Sequence, residues 1–160
     1  MNAIQVRRFG ADEVGNARQL FTMMADVFEE HCQPLGNVSL KSLLARDEFW
    51  ALAAFVGDEM VGGLTAHTLP MTRDEAFEVF IYDIAVRVDR QRQGVGRALI
   101  DALRVMASRQ GIDDVFVAAD AGDEPAIEFY RALRANESMA IVFAFARGVG
   151  EAVRSADPRQ

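Results

Sequence analysis

Apolar positions along this 160-residue chain change period several times, and each change marks an element. Residues 4–9 alternate around Val6 and predict a first strand. Val14, Ala17, Leu20, Phe21, Met24, Val27 and Phe28 then recur at helical spacing behind Asp12, a good N-cap. That helix is expected to end near His31, before Pro34 and Gly36. Leu40, Leu43 and Leu44 predict a second, short helix over 39–46. Two apolar runs, 50–56 and 60–69, flank Gly57, Asp58 and Glu59 and predict a hairpin. A polar connection over 70–75 leads into VFIYDIAV at 79–86, the pattern of a central strand. A loop with two glycines follows, then a helix over 97–109 with Leu99, Ala102, Leu103 and Met106 on one face, stopped by Gly111. Residues 115–119 are apolar throughout, as in a buried strand. Asp123 and Pro125 start a helix running to Leu133, and residues 138–146 alternate again as a last strand.

Strands and helices in this order predict a mixed sheet with helices on its faces, an α/β (α+β) architecture. The unit from 79 to 119 should be a right-handed crossover. One domain is expected over 1–147, with a small, polar, frayed tail over 148–160.

Composition narrows the function classes. No apolar run reaches the roughly 20 residues that span a bilayer. MNAIQVRRFGADE lacks the apolar core of a signal peptide, so a soluble cytoplasmic protein without a membrane partner is expected. A net charge of -7 opposes nucleic-acid binding and suits a cationic ligand. The single Cys32 excludes an internal disulfide and a cysteine zinc cluster; it reads as a partly buried thiol, badly placed for activation by the adjacent His31. No metal is expected.

The loop Gln91, Arg92, Gln93, Gly94, Val95, Gly96 carries the clearest chemistry. Without a Cβ at Gly94 and Gly96 the backbone can turn sharply, and the N–H groups opening the next helix can converge on a phosphate. Arg92 and Arg97 add positive charge, or are simply solvated. A nucleotide P-loop would need Gly-Lys-Ser/Thr, and a dinucleotide fold a third glycine; neither is present.

The loop, with Ile84, Ala85 and Val86 before it, resembles motif A of the GCN5-related N-acetyltransferase (GNAT) superfamily, and the element order matches along nearly the whole chain. The resemblance implies a central mixed sheet of six to seven strands flanked by about four helices, and acetyl-CoA as cosubstrate. Its pyrophosphate would be held by Gln91, Arg92, Gln93, Gly94, Val95, Gly96 and Arg97, and its pantetheine amides by the backbone around Ile84, Ala85 and Val86. A homodimer is a further expectation of the family.

Asp83 interrupts the apolar central strand, where a charge is costly unless paired. It reads as a structural salt bridge or bulge, or as a working carboxylate; the resemblance makes it the base for an amine. Tyr130, in AIEFYRAL, stands where the superfamily has a tyrosine facing the coenzyme A sulfur, which implies a general acid; a plain amphipathic tyrosine is the alternative. Arg134 replaces the glycine usual four residues later, which puts that helix terminus in question. Asp120, Asp123 and Glu124 form an acidic group, with Asp123 partly explained as a cap and Glu124 by the helix dipole.

IYDIAV at 81–86 and AADAGDEPAIEFY at 118–130 together are similar to the aminoglycoside 3-N-acetyltransferase type I family. This implies a polycationic substrate held by Asp83, Asp120, Asp123 and Glu124. A polyamine or other small amine, a coenzyme A binding module without catalysis, and an unrelated phosphate-binding protein are the rival readings.

Overall fold

The computed structural model describes residues 3–145, which divide after Gly122 into two compact units. The first holds a five-stranded sheet in the order β1 (Ile4–Arg8), β2 (Phe49–Val56), β3 (Glu59–Pro70), β4 (Phe77–Val86), β5 (Asp114–Val117). β1 to β4 run antiparallel to their neighbours, and β5 joins β4 in parallel. Helices α1 (Val14–Val27) and α2 (Asn37–Leu44) link β1 to β2; α3 (Val95–Ser108) links β4 to β5. The second unit carries α4 (Glu124–Ala132). The architecture is therefore the expected mixed α+β sheet, with five strands among the described residues in place of six to seven.

Alternation assigns the two faces of the sheet. A Cβ on Gly63 would collide with Leu20 and meet Met24 of α1, whereas one on Gly62 would meet Val95 and Leu99 of α3. Adjacent strand glycines thus let a helix approach closely on each side. On the α1 side, Phe49, Ala51, Ala53 and Ala85 pack with Leu20 and Met24. The other parity of β2 and β3 contributes Trp50, Leu52 and Leu64, fully buried like Leu99 and Leu103 of α3.

Three helices end in one hydrogen-bond pattern. Glu30 N–H donates to Ala25 O and Glu29 N–H to Asp26 O; Ile112 to Ala107 and Gly111 to Ser108; Ala135 to Tyr130 and Arg134 to Arg131. This paired closure requires a left-handed residue, and Glu29, Gly111 and Arg134 supply it at φ 58°, 76° and 60°. Helix α4 therefore closes on an arginine where glycine would be free of strain, and its terminus is intact.

Four expectations are corrected. α1 stops at Val27 instead of near His31, and Cys32 in the following segment is exposed. Among the described residues β5 is an edge strand whose residues alternate between exposed and half-buried, so its apolar run does not mean burial on two sides. Residues 138–145 form no strand, and Met139, Ile141, Val142, Phe143 and Phe145 are exposed. Alternation makes a strand only where another backbone supplies the ladder. The expected tail over 148–160 lies outside the described residues.

Candidate active site

The sheet opens at β4. β3 pairs with β4 from Phe77 to Val86, but β5 pairs only with Glu78, Val79, Phe80 and Ile81. Among the described residues no strand lies beside the far edge of β4 from Tyr82 onward, which leaves ladder groups there that a ligand can meet. At the same point the β3 register jumps from Thr65↔Asp83 to Ala66↔Ile81, leaving Tyr82 as an extra residue. This is a β-bulge. It shifts the alternation by one, so that Tyr82 and Asp83 share the α1 side while Ile81 and Ile84 face α3. Of the two structural explanations for Asp83, a bulge is present, and it is what aims the carboxylate.

Asp83 lies opposite the buried Thr65 and is itself half-buried. Burial lifts its pKa above the ordinary aspartate range, and the Glu30 carboxylate lifts it further. The left-handed Glu29 turns the chain after α1 and so helps set where Glu30 falls. Glu30 is an acidic neighbour of Asp83 that the apolar spacing along α1 does not reveal.

A cleft of about 550 Å³ separates one side of α1, at Gln19, Thr22, Met23, Asp26 and Val27, from the chain leaving β4 at Arg87, Val88 and Asp89. That chain is pinned to the β2–β3 hairpin: Arg87 and Arg90 bind the two oxygens of Glu59 at 2.5 and 2.6 Å, and Arg87 also binds Asp89 at 2.9 Å. Such exposed pairs add little stability, but as a network they fix the loop's path.

The glycine loop follows. Gln91 donates to the Val86 carbonyl at 3.2 Å and Gln93 to the Asp89 carbonyl at 3.1 Å, so both glutamines brace the loop. Arg92 and Gly94 are left-handed, at φ 60° and 87°. Gly94 caps α3, which begins at Val95, so Gly96 and Arg97 stand in its first turn and not in the loop. The N-terminus of a helix, with the positive end of its dipole, can take an anion. Left-handed loop residues, a positive helix terminus and an unpaired strand edge together fit a phosphate-bearing, amide-bearing group such as acetyl-CoA.

Asp120 accepts the Gly122 N–H at 2.8 Å, closing a local turn. In the second unit, Asp123 caps α4 by accepting the Ala126 N–H at 3.1 Å, and Glu124 pairs with Arg131 at 3.5 Å. Each acid of that group thus has a local structural partner. The Tyr130 ring lies 5.1 Å from Phe129; burial raises its pKa and the Asp123 carboxylate adds to the rise, so at neutral pH the phenol keeps its proton.

The profile of the Acetyltransferase (GNAT) family matches residues 17–133, spanning β4, the glycine loop and α4. The chain belongs to that family. GNAT enzymes use acetyl-CoA, and the opened β4 edge and helix terminus described above suit that use. An aminoglycoside acetyltransferase from an uncultured soil metagenomic sample, solved in complex with sisomicin, superposes with a TM-score of 0.87 at 29% identity, over 91% of this chain and 97% of that one. A second aminoglycoside acetyltransferase from an uncultured soil metagenomic sample gives 0.85 at 30% identity, over 91% and 99%. The ribosomal protein bS18-alanine N-acetyltransferase of Escherichia coli K12 is 36% identical over 61 residues, 38% of this chain and only 41% of that protein.

Proposed function

We propose that this GNAT chain is an acetyl-CoA-dependent N-acetyltransferase of a cationic small-molecule amine, an aminoglycoside acetylated at its 3-amino group. The observation that carries the reading is the bulged, unpaired half of β4, which sets a half-buried carboxylate of raised pKa beside a strand edge open to a ligand. The likeness to aminoglycoside acetyltransferases over nine-tenths of the chain supports the substrate class.

Acetyl-CoA supplies the acetyl group as an activated thioester. The first turn of α3, with Arg92 and Arg97, holds the pyrophosphate, and the cleft beside α1 takes the arm. Since Gln91 already occupies the Val86 carbonyl, the remaining β4 groups around Ile84 and Ala85 meet the arm's amides. Asp83 accepts a proton from the ammonium group and frees the nitrogen lone pair; its raised basicity favours this. A β4 N–H donates to the carbonyl oxygen as negative charge develops there. Tyr130 gives its proton to the departing sulfur, and the second proton that the nitrogen loses as the amide forms restores the phenol. Asp120, Asp123 and Glu124 attract the remaining ammonium groups.

A protein N-terminal amine is the second reading, favoured by the bS18-alanine match. Thiol release from acetyl-CoA decides between them, with sisomicin, spermidine and an alanine-initiated peptide as acceptors and Asp83→Asn as control. Turnover with sisomicin alone, reduced about 100-fold or more in the variant, is expected. Turnover only with the peptide, or only with spermidine, would overturn the aminoglycoside assignment.

A further inference from the structure

Four aromatic side chains stand in register across the sheet. Phe49, His67, Phe80 and Phe116 are successive cross-strand partners from β2 to β5, so they share the α1 side. Phe21 of α1 meets Phe49 at 6.3 Å, Phe49 meets His67 at 5.3 Å, and Phe80 stacks on Phe116 at 5.1 Å. Tyr82 completes the row, edge-on to His67 at 5.9 Å and to Phe80 at 6.0 Å.

The row climbs from core to surface: Phe49 is 6% exposed, Phe116 44% and Tyr82 64%. An aromatic ring gains most from burial, yet Tyr82 is fixed by two neighbours with most of its surface in water. The bulge that frees it from the ladder also sets Asp83, with Glu30 near, on the same side. An anchored apolar plate therefore adjoins a pair of carboxylates.

A linear polyamine needs only the carboxylates. An amine carried on a saturated ring also presents a flat C–H face, and laying that face on an aromatic ring removes apolar area from water while the ring's negative face attracts flanking ammonium groups. We propose that Tyr82, with Phe116, is the platform on which the acceptor's ring rests while its amine meets Asp83, so that the site selects amino sugars and aminocyclitols over linear polyamines. The platform presupposes the N-acetyltransferase reading of this site and specifies the kind of amine it takes.

Calorimetric binding of sisomicin and of spermidine, each to the wild type, Tyr82→Ala, Tyr82→Phe and Phe116→Ala, tests it, with thermal melting to establish that each variant folds. Tyr82→Ala should weaken sisomicin about ten-fold, Tyr82→Phe less than two-fold, and neither should alter spermidine. Phe116→Ala, on another strand, carries the same expectation and keeps the test decisive if Tyr82→Ala fails to fold. Unchanged sisomicin affinity in both alanine variants would overturn the platform, as would equal weakening of both amines or no binding of sisomicin to the wild type. A shift from dimer to monomer in Tyr82→Ala at unchanged sisomicin affinity would assign the ring to a contact between copies and also overturn it. If sisomicin binds with this dependence but is not acetylated, the ring-binding surface at Tyr82 and Phe116 stands, while the N-acetyltransferase reading and the acceptor role that rests on it fall.

Discussion

Burial and the Glu30 carboxylate both disfavour charge on Asp83, so the folded chain holds that proton to a higher pH than the unfolded chain does. Between the ordinary aspartate value of 3.8 and the raised native value, the native state binds the extra proton. Stability therefore falls as pH rises through that window, and above it the cost of a charged Asp83 is fully present. Asp83→Asn should accordingly melt at pH 7 no lower than wild type while losing acetyl transfer. A lower melting temperature would show that the carboxylate is a structural partner. Glu30→Gln removes the second cause of the shift. The acid limb of kcat/KM, read as a pH profile, should move to lower pH while the fold is unchanged. At this scale the strand sequence exposed the anomaly of a charge among apolar residues. A bulge was among the readings of that charge, but which residue is extra was not legible, because an extra residue in a strand is defined only by its partner's register.

Among the elements, the helix ends and the paired glycines carry the sharpest expectations. Arg134 closes α4 at φ 60°, where a side chain crowds its own backbone. Arg134→Gly should stabilise that terminus by about 1 kcal/mol, seen as slower hydrogen exchange at the Ala135 N–H, the donor of the closing bond. A faster rate would mean that the arginine side chain contributes more than its backbone costs. Gly62→Ala would bring a methyl within 2.8 Å of Val95 Cγ1 and 3.1 Å of the Ala85 carbonyl. Overpacking of this kind costs about 1–3 kcal/mol. Because Val95 opens α3, the acetyl-CoA KM should rise along with the loss measured in denaturant. Hydrophobic period alone located every described α-helix and strand of the first unit to within a few residues, since a helix or strand face is a local property. It misjudged 115–119 and 138–146 because burial of a strand depends on what lies beside it. The Gly62–Gly63 pair was a readable sign of close helix approach that periodicity passes over.

Over the whole molecule, a net charge of -7 makes ionic strength a probe of the acceptor. The screening length shrinks from about 30 Å at 0.01 M salt to about 10 Å at 0.1 M. The KM for a polycationic acceptor should rise steeply over that range and the KM for a monoamine much less. Equal behaviour would remove long-range attraction from the account. The element order and the glycine loop made the family legible in the sequence. The cleft beside α1 and the aromatic row were not, because both join residues far apart in the chain.

Tyr82 also bears on how such a protein changes over generations. It occupies no rung of the ladder and little of its ring is buried, so the fold depends weakly on which residue stands there. Exchanges at this one position are cheap in stability, and the next residue, which carries the proposed proton transfer, is untouched by them. A chain built this way can try new acceptors one mutation at a time while its reaction and its architecture are inherited intact.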